Sequence, residues 1–206
     1  MTYDATTGTP RRGRPRSEKA REAILDAAAE LLLAQGLGAV SMDAVAERAG
    51  VSKATIYRWW PTKETLALDA LYHEWAAASP GAGETGSLRA DLLSLLRPWV
   101  RLVGKRPYGR VIGALITEAH TDPAFAEQWR EHFVEPRRDQ ARPILTHAIE
   151  RGELPATTDP ELALDLLYGP LYHRLLHGHA PLTDRFLSAL VDTVIAGLAA
   201  APAITP

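Results

Sequence analysis

Apolar residues recur at three- and four-residue spacing along nearly the whole chain, and no stretch alternates apolar with polar residues as a half-buried strand would. That periodicity makes an all-α protein the expectation, and the punctuation between the apolar runs sets its segments. The first helix is expected to start near Ser17 as its N-cap, carry Ile24, Ala28, Leu31 and Leu32 on one side, and end at Gly36, where a left-handed residue costs least. A second, short helix over 41–49 starts from Ser41, buries Val45 and Ala46 and stops at Gly50. Ser52 caps a third over 52–60. Thr62 caps a fourth after Pro61, which disfavours helical backbone at Trp60.

The stretch "ASPGAGETGS", residues 78–87, breaks the pattern with Gly, Pro and Ser, and beyond it lies a second helical body. Its expected segments are 88–103, 108–120, 123–151, 160–177 and 183–200. Asp122-Pro123 and Asp159-Pro160 each place a capping carboxylate before a first-turn proline. About nine helices result. The expected division is a disordered basic arm over 1–16, a three-helix helix-turn-helix domain over 17–61, a connecting helix over 62–79 and a larger helical body over 80–206.

Composition narrows the chemistry. The 206 residues include no cysteine, which removes disulfides and thiolate metal sites and fits a reducing cytoplasm. No apolar run approaches the roughly 18 residues of a membrane helix, and no apolar segment follows the basic start as in a signal peptide. A cytoplasmic protein with no membrane partner is therefore expected. The net charge of -2 conceals an uneven distribution: residues 1–66 carry ten Lys or Arg against eight acids, and residues 67–206 carry thirteen against seventeen. Arg11, Arg12, Arg14, Arg16, Lys19 and Arg21 lie within eleven residues, opposed only by Glu18. That is the footprint of a nucleic-acid arm, with a solvated tail as the alternative.

Two short helices separated by a glycine turn have the layout in which the first crosses the DNA backbone and the second enters the major groove. The stretch "GLGAVSMDAVAERAGVSKATIYRWWPTKETLALDAL" closely resembles the DNA-binding domain of the TetR family of transcriptional regulators, over roughly residues 17–70. The resemblance implies a three-helix DNA-binding domain, a connecting fourth helix, and a helical domain that binds a small molecule and forms a homodimer.

By the same resemblance Lys53, Ala54, Tyr57 and Arg58 approach base edges, while Thr55, Trp59 and Lys63 approach phosphates and Tyr57 stands where it can do both. Arg58 or Lys53 could pair with guanine, and Ala54 could touch a thymine methyl. Lys63 and Ser41, at helix starts, are expected to hold a phosphate each. An arginine of "GRPR", Arg14 or Arg16, could enter the minor groove. Helical geometry at about 100° per residue puts Ile56 and Trp60 on one face and Arg58 roughly opposite. Trp60 is then the buried anchor and Trp59 the ring at the DNA surface, where the family more often has histidine or another polar residue.

One such helix reads few base pairs, so a homodimer on a pseudo-palindromic double-stranded operator is expected, with half-sites roughly 34 Å apart. The last two helices are apolar around more of their circumference than one core face requires, and the resemblance also assigns dimerisation to them. Leu171, Leu175, Phe186, Leu190 and Val194 are the candidate interface, against ordinary burial within one subunit. For the small-molecule effector, Trp99, Ile112, Ile116, His120, Trp129, Phe133, Tyr168, Tyr172 and His173 could line a pocket, and each could equally be core. Gly169-Pro170 marks its expected position, because a proline inside a helix opens space between packed helices.

His173, His177 and His179 lack the acidic or cysteine partner of a metal site, and no metal or cofactor is expected. The functional reading is a ligand-responsive repressor and not an enzyme. The rivals are a ligand-independent architectural DNA-binding protein and an enzyme built on the rear helices, for which no phosphate loop, nucleophile motif or acid/base pair is evident.

Overall fold

The structure, a computed structural model, describes residues 14–78, 85–104 and 108–200, with side chains of residues 14–17 and 78 outside that description. Its segments are α1 (Arg14–Gln35), α2 (Met42–Ala49), α3 (Lys53–Tyr57), α4 (Lys63–Ala78), α5 (Leu88–Val103), α6 (Tyr108–Thr121), α7 (Pro123–Trp129), α8 (Glu135–Glu150), α9 (Pro160–His177) and α10 (Asp184–Ala200). A π-helical turn, Arg130–Val134, joins α7 to α8 in one rod, so the described residues form nine rods and no strand. The all-α expectation holds.

Capping chemistry sets most boundaries. Ser41 accepts from the Ala44 amide at 3.2 Å, Asp122 from Ala124 and Phe125, Asp159 from Glu161, and Thr183 from Phe186. Gly50 stands at φ 65 after α2, and the Val51 amide reaches back to the Ala46 carbonyl at 3.0 Å. Two expectations need correction. α1 begins at Arg14, so Ser17 lies inside the helix and is not its N-cap. Proline is tolerated there because Pro15 falls in the first turn, where amides have no intrahelical partner. Residues 1–13, most of the stretch expected to be a disordered arm, lie outside the described residues.

The second correction concerns α3, which ends at Tyr57 and not at Trp60. The amides of both Trp59 and Trp60 donate to the Ile56 carbonyl, at 2.9 and 3.0 Å, which closes the helix, and Pro61 holds the residue before it out of helical backbone.

The α1–α4 segments pack around Ile24, Leu25, Ala28, Leu32, Val45, Ile56 and Trp60, all buried. α4 is buried on two sides: it contacts α1 in front and α5, α6, α7 and the π turn behind. In the rear, α5 packs on α8 and α10, and α9 packs on α6, α8 and α10. Paired charges then fix these rods to one another. Arg89 reaches Asp192 at 2.6 Å and Arg101 reaches Asp184 at 2.5 Å, joining α5 to α10. Arg142 and Arg138 both reach Glu161, at 2.7 and 2.6 Å, joining α8 to α9.

Hydrogen bonds from Arg142 and then Arg138 hold the Glu161 carboxyl at about 2, below its ordinary 4.5. A carboxyl depressed by folding contributes stability above its unfolded value and loses that contribution as pH falls toward the folded one. Glu161→Gln is therefore expected to lower the melting temperature by roughly 1–3 °C at pH 7, small because the pair is exposed. The deficit should shrink between pH 4.5 and pH 3 in thermal denaturation followed by circular dichroism.

Candidate functional site

Four side chains on the front body share an outward face. Lys53, Ala54, Tyr57 and Arg58 are exposed, and their i, i+1, i+4, i+5 spacing puts them on the side of α3 opposite the fully buried Ile56. Tyr57 is half exposed to solvent, which is unusual for a large aromatic ring and leaves its hydroxyl and face free to meet a second molecule. Ser52 caps this helix from below, accepting from the Thr55 amide at 3.2 Å and sharing a hydrogen bond with the Thr55 hydroxyl at 2.9 Å. Thr55 is consequently half-buried and turned toward its own cap.

Charge is arranged around this face. Lys53 is paired with Asp43 of α2 at 2.8 Å, and that carboxylate holds the ammonium above its usual value. Lys63, in the first turn of α4, is half-buried and donates to the Leu37 carbonyl at 3.4 Å, which ties the start of α4 to the end of α1. Ser41 is exposed at the start of α2, its oxygen used as the cap. Arg14 and Arg16 lie in the first turn of α1, and their side chains are outside the described residues.

The tryptophan pair divides into a buried ring and a half-buried one. Trp60 is buried, and its indole N–H donates to Asp69 of α4 at 2.8 Å. Trp59, the ring expected at the DNA surface, is half-buried, with its ring centroid 5.7 Å from that of Trp60 at a tilt of 59°. The guanidinium of Arg58 lies over the outer face of Trp59, 4.7 Å from its centroid. Trp59 is therefore a platform under Arg58.

Asp69 gathers more than the indole. Arg21 of α1 approaches its carboxylate at 3.7 Å, and His132 of the π turn at 3.6 Å. One carboxylate thus links the segment after α3, the first helix and the rear body.

Behind α4 a cavity of about 240 Å³ opens between α6, α8 and α9. Ile116, Trp129, Tyr168 and Tyr172 line it, as expected, together with Val134, Arg137 and Arg138. Trp99, Ile112 and Phe133 border a separate narrow space of about 10 Å³ beside it, which Arg137 also reaches. His120 and His173 line neither. The first is exposed with Nδ1 2.7 Å from the Ile116 carbonyl oxygen, and the second stacks outside against His177 and His179 at 4.6 and 4.9 Å. Pro170 stands inside α9 between the two cavity tyrosines.

Arg137 is the residue that sequence reasoning passed over. It is 5% exposed and stacks on Phe133 at 3.6 Å and Trp75 at 4.5 Å. The only available signal was the paired "RR" at 137–138 inside a helical pattern, which ordinarily describes a solvated face.

The candidate interface residues separate into two groups. Leu171 is fully buried and Val194 nearly so within this one subunit, because both face the packing of α9 on α10. Leu175, Phe186 and Leu190 are half-buried. The large apolar residues left exposed on α9 are Leu162, Leu166 and Leu176, which lie on one helical face.

Comparison with known proteins covers both bodies. Residues 24–70 match the family model described as bacterial regulatory proteins of the tetR family, and residues 82–194 match the tetracyclin repressor-like C-terminal domain. The HTH-type transcriptional regulator YdeS of Bacillus subtilis is 39% identical over 94% of this chain and 96% of its own length. The DNA-binding transcriptional repressor TetR of Mycobacteroides abscessus is 33% identical over 87% of this chain and 94% of its own. The crystal structure of the TetR family transcription regulator SCO0332 superposes with a TM-score of 0.74 at 38% identity, covering 89% of this chain and all of the other.

The unequal burial of the two indoles predicts unequal costs. Trp60→Phe removes a buried ring and leaves Asp69 short of one donor, so denaturant unfolding should show a loss of about 1–3 kcal/mol. Trp59→Phe should cost less than about 1 kcal/mol by the same measurement. Equal losses would mean that the Trp60–Asp69 bond contributes nothing.

Proposed function

The chain belongs to the TetR family and is a DNA-binding transcriptional regulator of the repressor type; from that premise we propose that it acts as a homodimer on a pseudo-palindromic operator, from which a small-molecule effector releases it. The observation that carries this reading is the outward face of α3. Lys53, Ala54, Tyr57 and Arg58 stand exposed together on a helix capped at its start and anchored by Ile56 and Trp60 behind.

Each residue then has a role that its surroundings permit. Arg58, held flat by the Trp59 ring, offers a planar fork to a guanine edge. Lys53 exchanges Asp43 for a base or phosphate acceptor, and Ala54 meets a thymine methyl. Thr55 and Tyr57 flank the helix toward the phosphates. Ser41 and Lys63, at the starts of α2 and α4, hold one phosphate each beside helix-terminal amides. Arg14 and Arg16 carry the basic arm toward the minor groove.

Dimerisation through α9 and α10 is supported by Leu162, Leu166 and Leu176, whose exposure on one helical face is uneconomical for an isolated subunit. Half-buried Leu175, Phe186 and Leu190 border that surface. The cavity between α6, α8 and α9 is the proposed effector site, since it is lined by aromatic rings with a few polar groups. The relatives are transcriptional regulators and not enzymes.

Lys63→Ala should weaken binding to every DNA sequence and lower the salt slope of log K by about 1, whereas Arg58→Ala should relax preference at particular bases. Selection of bound DNA from a random pool, followed by salt-dependent titration of each variant, reads both effects. Operator binding unchanged in both would remove the assigned contacts. Leu166→Glu places a charge in the proposed interface and should give monomers in sedimentation equilibrium, with operator affinity falling at least about a hundredfold as one half-site is lost.

A further inference from the structure

We propose that the cavity at Arg137 takes a small monoanionic carboxylate on an aromatic frame, and that Arg137 is the group that reads its charge. The inference rests on the reading of this cavity as the effector site and names the chemical class of the effector.

The reason is an uncompensated cation. Among the described residues only two charged side chains are buried, Asp91 and Arg137. Asp91 is satisfied, accepting from the amide and hydroxyl of Thr85 at 2.7 and 2.6 Å. Arg137 is not. One of its terminal nitrogens donates to the Phe133 carbonyl at 2.5 Å, its Nε has no partner, and no carboxylate among the described residues pairs with it.

Burial pulls the guanidinium down from its ordinary value, but arginine titrates so high that it stays charged at any physiological pH. The ring faces of Phe133 and Trp75 offset part of the cost and supply no negative charge. Tyr168 and Tyr172 supply none either, because burial raises both phenols and keeps them neutral, and the Tyr168 hydroxyl is already donating to the Arg137 carbonyl at 3.0 Å.

The neighbouring residue shows what compensation looks like here. Arg138 borders the same cavity and is paired with both Glu161 at 2.6 Å and Asp165 at 2.7 Å. The cavity therefore holds one cation without a counter-charge beside one with two. A monoanion matches that balance, while a phosphate dianion would carry a second charge toward Glu161 and Asp165.

Geometry narrows the class further. A planar guanidinium matches a carboxylate through two parallel hydrogen bonds. Trp129, Tyr168 and Tyr172 give flat walls, and about 240 Å³ falls below the roughly 300–1,000 Å³ usual for drug-sized ligands, so the frame is a single ring or little more.

The test uses the full chain and a panel of benzoate, 4-hydroxybenzoate, phenylacetate and cinnamate, each beside its primary amide. Thermal shift and quenching of tryptophan fluorescence read binding, since Trp129 lines the cavity. At least one carboxylate should stabilise the wild type saturably, and its amide should need at least about tenfold more for the same effect. Arg137→Gln should lose at least about tenfold in affinity for the acid, and Arg137→Lys should retain part of it. The acid-against-amide comparison on the wild type stands even where a variant folds poorly.

Amides binding as well as acids, Arg137→Gln binding the acid as well as wild type, or no saturable shift from any acid would each overturn the inference. Gel-shift titration of the selected operator separates the two readings. An acid bound through Arg137 that leaves operator affinity unchanged supports the site and removes its role as effector site. Release of the operator by acids and amides alike keeps the effector role and removes the charge reading.

Discussion

The burial of α4 on both of its sides is the constraint on which the rest of the molecule depends. Leu66, Ala67, Leu68, Ala70, Leu71 and Trp75 are all buried, and at 100° per residue they cover more than half of the helix circumference. A surface helix needs only one apolar stripe, so α4 is a shared wall between two bodies whose buried residues form one continuous cluster. Each leucine in that wall is worth about 1.5–3 kcal/mol in removed apolar surface, so separating the bodies would expose several such residues at once. Rigid tilting of α4 within its packing is far less costly than detachment.

The polar contacts on α4 follow from that shared burial. Asp69 faces forward to the Trp60 indole and Arg21 and rearward to His132, while Trp75, about two turns on, meets Arg137. The outward face of α3 is thus held by a residue that is also held by the rear body. Trp60 cannot shift without disturbing Asp69, and α4 cannot tilt without moving either the indole or the histidine.

Much of this arrangement was legible in the sequence because it is enforced locally. Ser41, Gly50, Ser52, Asp122 and Asp159 each act within a few residues of themselves, and a cap or a left-handed turn needs nothing from the rest of the chain. Gly50 could be read because a positive φ has few other tenants. Residues whose place depends on a competition were harder. Trp60 lies buried beside Ile56 as the helical period implies, but the end of α3 at Tyr57, where the amides of Trp59 and Trp60 share the Ile56 carbonyl, depends on the competing restriction from Pro61. His120 and His173 have the chemistry of a pocket wall but sit on outward turns of their helices, which an aromatic census without register cannot distinguish.

Arg137 was illegible for a deeper reason: its neighbour Arg138 has the same side chain, one residue along the same helix, and the opposite fate. A rotation of 100° takes Arg138 to the carboxylates of α9 and Arg137 into the rings of Phe133 and Trp75. Sequence alone gives both an expectation of solvent.

The π turn connects that buried cation to the front of the molecule. Over Arg130–Val134 the helix carries Val134 on the cavity, Phe133 beneath the guanidinium and His132 against Asp69, three consecutive residues with three different neighbours. A regular α-helical turn would space these side chains at 100° and could be wound more tightly. A π turn closes its hydrogen bonds over one residue more than an α turn, and such single turns inside helices recur at functional sites. Arg137 braces this turn from within, through its stacking on Phe133 and its bond to the Phe133 carbonyl. A ligand shifts a two-state equilibrium from 1:99 to 99:1 only by favouring one state by about 5.5 kcal/mol. A charge-assisted pair with the buried arginine contributes to such a difference only to the extent that it is stronger in one state than in the other.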